Sequence, residues 1–186
     1  MLKMSKKYPE ADLHCHTNAS DGVLTPWQLV KYAHDLGLKA IAITDHDTLS
    51  GCAEALKAGK YYQVDVLQGV ELNTDWAGTE VHILGYEVNP QAPILVNKLA
   101  ELREARYKRI AAIIEKLQGL GIGIQLDEVM RLAKGESIGR PHIAQDLVNK
   151  GVVKSVREAF DLYIGTGGPA YVPRYKITPE EGIALI

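Results

Sequence analysis

The chain has little cysteine, no long apolar run and no surplus of either charge. Its 186 residues hold two cysteines, Cys15 and Cys52, too few for a disulfide framework, and the pair reads as reduced thiols in a cytoplasmic protein. No stretch is long enough to span a bilayer, and no secretory apolar region follows the first lysines, so neither a membrane partner nor export is expected. The formal net charge of −2 argues against a general nucleic-acid or membrane-surface binder and leaves room for a local basic groove. At 46% hydrophobic and 24% charged residues, the composition is that of a soluble globular chain able to bury one good core and a small second one.

What the chain does have is histidine in suggestive places. Asp12-Leu13-His14-Cys15-His16 is followed by Asp21 and, one apolar segment later, by Thr44-Asp45-His46. Side chains alternate along a strand, so Asp12, His14 and His16 are expected on one face, and imidazoles with carboxylates nearby can hold a catalytic divalent metal without cysteine. Glu71 closes Val66 to Val70, His82 follows Val81, and His142 lies in Gly139-Arg140-Pro141-His142. His34, among Gln, Lys and Asp in a helical run, reads as an incidental surface residue.

The first ninety residues or so alternate between two periodicities. Strands are predicted at Ala11 to His16, Ala40 to Thr44, Val64 to Leu72 and Glu80 to Tyr86, with helices at Pro26 to Leu36 and Leu49 to Tyr61. Thr25 and Pro26 supply a capped start and Gly37 a stop. This is a βα repeat in which His16, His46 and Glu71 fall at or just beyond the carboxyl ends of strands, where βα barrels carry their active sites. From about Pro93 the pattern is helical. Leu99, Leu102, Ile110, Ile113, Ile114 and Leu117 form a stripe interrupted by Arg103, Arg106, Lys108 and Arg109. Helices near Leu126 to Ala133, Ile143 to Val148 and Val156 to Tyr163 follow, then an extended Ala170 to Pro173 and a last helix from Thr178. The expected organisation is an α/β unit over residues 1–91, an all-helical insertion over 92–168, and a return to the α/β unit over 169–186.

The histidine motifs, Ile43-Thr44-Asp45-His46 and Gly69-Val70-Glu71 together resemble the metal signature of the PHP (polymerase and histidinol phosphatase) domain family. Gly139 to His142 and Gly165 to Pro173 are similar to the branch containing bacterial nucleoside 3′,5′-bisphosphate phosphatases and a related 5′-to-3′ exoribonuclease. The resemblance implies a distorted (β/α)7 barrel with a trinuclear metal site capped by the helical insertion. It implies His14, His16, Asp21, His46, Glu71 and His82 as ligands, Glu71 bridging. The family pattern continues with a further His and an Asp-x-His motif that these residues do not contain. The expectation is therefore the N-terminal part of a barrel, completed by a missing C-terminal segment, a partner chain or another copy.

Mixed imidazole and carboxylate donors suit Zn²⁺, Mn²⁺ or Fe²⁺ rather than Ca²⁺. Two or three such ions, about 3.5 to 4 Å apart, could share a hydroxide and clamp a phosphoryl oxygen. Arg140 is the expected phosphate clamp, and His142 beside it a phosphate ligand or a proton donor to the leaving alkoxide. The predicted activity is hydrolysis of a phosphate ester on a small nucleotide, such as a nucleoside 3′,5′-bisphosphate, or on an oligonucleotide end. The alternatives are a catalytically incomplete metal-binding module, a histidinol-phosphate-type phosphatase and an amidohydrolase. Asp12 reads as orienting an imidazole or forming a salt bridge, Asp45, adjacent to a ligand, as equally able to cap the following helix and so outside the ligand set, Arg103, Arg106 and Arg109 as a solvated face, and Gly165 to Pro169 as a turn.

Overall fold

The computed structural model describes residues 10–175 and 177–186; the early lysines read for an export signal lie outside the described residues. The chain opens as β1 (Ala11–Cys15), α1 (Pro26–Asp35), β2 (Ala40–Ile43) and α2 (Cys52–Tyr62). The start of α1 is fixed locally: Thr25 accepts from Gln28 N–H, the Gln28 side chain caps Thr25 in return, and Pro26 follows the cap. Past its end, Gly37 takes φ 78°, a left-handed conformation that suits glycine. Val30, Ala33, Ala55 and Ala58 of the two helices pack on Ile41 and Ile43 of β2, forming the first core.

β1, β2 and the start of β3 (Asp65–Trp76) are parallel, as the alternation predicts. The repeat then breaks. β4 (Thr79–Tyr86) pairs antiparallel with β3, giving the order β1-β2-β3-β4. The cause is the two-residue turn Ala77-Gly78, both at positive φ (50° and 89°), which joins strands as a hairpin and leaves no room for a crossover helix. The sheet curls enough for Tyr86 Oη on β4 to donate to Leu13 O on β1, 2.8 Å away.

The helical part comprises α3 (Pro93–Gly119), α4 (Leu126–Leu132), α5 (Arg140–Asn149) and α6 (Val156–Ala159), which runs into a π-helical turn (Phe160–Ile164). α3 serves two cores. Its first half, through Leu95, Leu99 and Leu102, packs with Val70, Leu72 and Ile177 near the sheet. Its second half, through Ile110, Ile113 and Leu117, packs with Val129, Ile143 and Leu147. The extended Ala170 to Pro173 joins no strand; Lys116 Nζ holds Tyr171 O at 2.7 Å and Arg109 Nε holds Val172 O at 2.8 Å. α7 (Pro179–Leu185) closes the described chain behind the capping pair Thr178 and Glu181.

Candidate metal centre and cleft

His14 and His16 converge, as alternation predicts, with help from a bulge. Asp12 pairs with Ile41 and Cys15 with Ile43, so the β1 register slips where the first histidine lies. His14 Nε2 and His16 Nε2 both reach Glu71 Oε2, at 2.9 and 2.8 Å. Asp12 stays apart from the imidazole rings and accepts from the His14 backbone N–H.

Glu71 lies well inside β3 rather than at its end. Parallel pairing with β2 stops at Gln68, and Glu71 falls just beyond it, within the hairpin. There the isolated pairing of His46 with Glu71 brings His46 Nδ1 to 3.5 Å from Oε2. His82, on β4, sets Nδ1 against Oε1 and Nε2 2.8 Å from Glu80 Oε1. Asp21 joins from the β1–α1 loop, 3.1 Å from His16 Nδ1 and 3.7 Å from His46 Nε2. The structure thus brings together all six residues expected as ligands.

Asp45 caps no helix, since α2 begins only at Cys52. It is buried and accepts from Thr17 N–H and Thr17 Oγ1, both at 2.7 Å, and from Ser20 Oγ at 2.6 Å, which locks the two ligand-bearing loops together. Burial raises its carboxyl above the usual range even against these bonds.

Charge in the cluster is sharply polarised. Burial alone would raise the Glu71 carboxyl, but hydrogen bonds from His16 and His82, helped by His46 and His14, hold it far below the usual carboxylate range. Burial likewise opposes a charged His16, yet the Asp21 and Glu71 carboxylates push it up to about 9. Asp21 is drawn down to about 2 by His16 despite burial. Burial, then the nearby Arg106 charge, brings His46 down to about 4.

These donors fit a metal. Glu71 Oε2 lies 2.9, 2.8 and 3.5 Å from ring nitrogens of His14, His16 and His46, a mixed imidazole and carboxylate shell of the kind a divalent transition-metal ion takes. A cation among them would turn the same lone pairs into ligands. Two overlapping sets, His14/His16/Glu71 and His16/Asp21/His46, each offer donor atoms within 4.8 Å of one another. Asn73 Nδ2, 3.1 Å from His46 Nδ1, and Glu80 on His82 orient two of the rings, a role sequence reading did not give them.

Beside the cluster lies a cleft of about 180 Å³ lined by His46, His82 and Asp21 together with Arg106, Arg109, Arg140 and Arg174. The expectation that Arg106 and Arg109 form a solvated face is therefore wrong. They are half-buried and occupy the buried stripe of α3 between Leu102 and Ile113, and that spacing was the available signal. Arg109 is tethered to Val172 O, and burial, with Arg140 nearby, lowers it to about 10. Arg103 also turns inward and donates to Asp47 O. Arg174 binds Glu80, Asn73 and Thr74 O from an irregular segment with no sequence signal.

Arg140 is the first residue of α5. It stacks over Phe160 with the guanidinium carbon 5.3 Å from the ring centre, and lines the cleft. His142 does not join it there. Its Nδ1 accepts from Gly139 N–H at 3.0 Å, and the residue lines a second cavity of about 260 Å³ with Lys134, Pro141 and Asp21. Asp21 and Pro141 border both cavities. Burial lowers the His142 pKa. Gly165 to Pro169 is the expected turn, and His34 lies exposed on α1 against Tyr62.

Fold and donor set together define a class: an α/β protein with a histidine and carboxylate cluster beyond the carboxyl ends of parallel strands. The PHP domain model matches residues 12–149, and the chain belongs to that family. It is 40% identical over 169 residues to a 5′-3′ exoribonuclease of Haemophilus influenzae, covering 91% of this chain and 60% of that protein. It is 36% identical over 176 residues to a 3′,5′-nucleoside bisphosphate phosphatase of Chromobacterium violaceum, covering 94% and 62%. A solved Chromobacterium violaceum structure, described as an amidohydrolase with bound sulfate and no metal, matches with TM-score 0.89 and 35% identity over 96% of this chain and 63% of that one. The chain thus spans about three fifths of the length of these curated relatives. Among the described residues, no helix is long and apolar enough to cross a membrane.

Proposed function

We propose that this chain carries the metal-binding part of a phosphoesterase acting on a small nucleotide, such as a nucleoside 3′,5′-bisphosphate, or on an oligonucleotide end. One observation carries the reading: His46, His82 and Asp21 of the cluster of four imidazoles and two carboxylates line the same cleft as Arg106, Arg109, Arg140 and Arg174. His14, His16, Asp21, His46, Glu71 and His82 would hold two or three divalent ions of the Mn, Zn or Fe kind. Bound there, the ions would supply Lewis-acid charge and a nucleophile made from water at neutral pH.

The chain's own residues do the rest. Arg140, with Arg106 and Arg109, offers paired N–H donors to the non-bridging oxygens of a phosphate, a geometry that suits phosphate better than an uncharged amide. His142, its Nδ1 engaged by Gly139, lines the neighbouring cavity that shares Asp21 and Pro141 with the cleft, and would contact the part of the substrate that extends there.

Phosphate release from a nucleoside 3′,5′-bisphosphate in the presence of Mn²⁺ tests the reading. Release is expected, lost with Glu71→Gln and weakened through KM with Arg140→Ala. Tight metal binding without release would favour a metal-binding module that is catalytically incomplete.

A further inference from the structure

Asp47, immediately after His46, is 3% exposed and takes φ 56°, the left-handed region that costs free energy for a residue with a Cβ. Its backbone is gripped on both sides: N–H donates to Glu71 O at 3.1 Å, and its carbonyl accepts from Arg103 Nη1 at 3.0 Å. Its Oδ2 accepts from Arg106 Nε at 3.2 Å and from Nη2 at 2.5 Å, while its buried Oδ1 has no hydrogen-bond partner. A buried carboxylate with one oxygen left unpaired is a poor choice for stability alone, so its value lies in what it holds.

What it holds is Arg106. Forking Nε and Nη2 onto one oxygen fixes the plane of the guanidinium and leaves Nη1 without an Asp47 bond. Nη1 lies beside Gly139, and Arg106, Gly139 and Arg140 all line the cleft. We propose that Asp47 is a positioning residue: it aims Arg106 at the reacting phosphate and, with Arg103, fastens α3 to the turn that bears His46. The proposal rests on the phosphoesterase reading for what Arg106 meets.

Titration of inorganic phosphate into the Mn²⁺-loaded protein tests it, alongside metal content and phosphate release. Asp47→Asn, nearly identical in shape, is expected to weaken phosphate binding about tenfold with Mn²⁺ content unchanged. Arg106→Gln should weaken it at least as much. The double variant should bind like Arg106→Gln alone, because Asp47 has nothing left to position. A merely structural role would instead lower metal content or give losses that multiply. Phosphate binding unchanged in Asp47→Asn, or losses that multiply in the double variant, would overturn the proposal. So would unchanged binding in Arg106→Gln, whatever the folding of Asp47→Asn. Wild-type protein that neither binds nor releases phosphate sinks the phosphoesterase reading and this proposal with it, whereas an active wild type with an indifferent Asp47→Asn sinks the proposal alone.

Discussion

Glu71 shows how one residue organises the centre: a carboxylate 1% exposed becomes the meeting point for histidines from β1, the loop after β2 and β4. The six expected ligands were legible because the histidine motifs stand beside apolar strands and together resemble a known family's metal signature, which implies the set. Asp47, Asn73, Glu80 and Arg174 could not, because each acquires its role from a partner brought by another segment. Asp45 was misread for the same reason, since Thr17 and Ser20 are 28 and 25 residues away in sequence. Cys52 offers a check on burial that is independent of the metal. Burial pushes its thiol from 9.0 up to about 11, so the folded state holds the proton more tightly than the unfolded chain. That contribution is complete below about pH 9 and is lost as pH rises through about 11. Urea unfolding across this range should show wild type losing stability more steeply than Cys52→Ala; parallel curves would contradict the assignment.

At the scale of elements, α1, α2 and the first two strands could be read to within a few residues because capping and periodicity are local signals. The hairpin was not legible: Ala77-Gly78 is a weaker turn signal than Asn-Gly, and β3 changes from parallel to antiparallel pairing along its own length. α3 was read correctly as a helix with its apolar stripe, and wrongly in giving Arg106 and Arg109, which stand in that stripe, to a solvated face. Its second half is the keystone of the helical core. Leu117 is fully buried there, so Leu117→Ala should cost about 2–5 kcal/mol in urea unfolding. A cost well under 1 kcal/mol would mean that this core packs loosely.

The whole molecule explains why cleft and cluster meet. The curled four-stranded sheet gathers the ligands on one side, and α3, shared by two cores, carries Arg103, Arg106 and Arg109 toward them. Neither the curl nor the crossing of α3 has a local signature, so the stripe spacing of Arg106 and Arg109 signals burial but not the cleft they line. The most direct test of the central claim is calorimetric titration of Mn²⁺ into metal-free protein. Saturable binding is predicted, abolished by Glu71→Gln and weakened about 10–100-fold by Asn73→Ala, which frees the His46 ring. Binding of equal strength in wild type and Glu71→Gln would contradict the account.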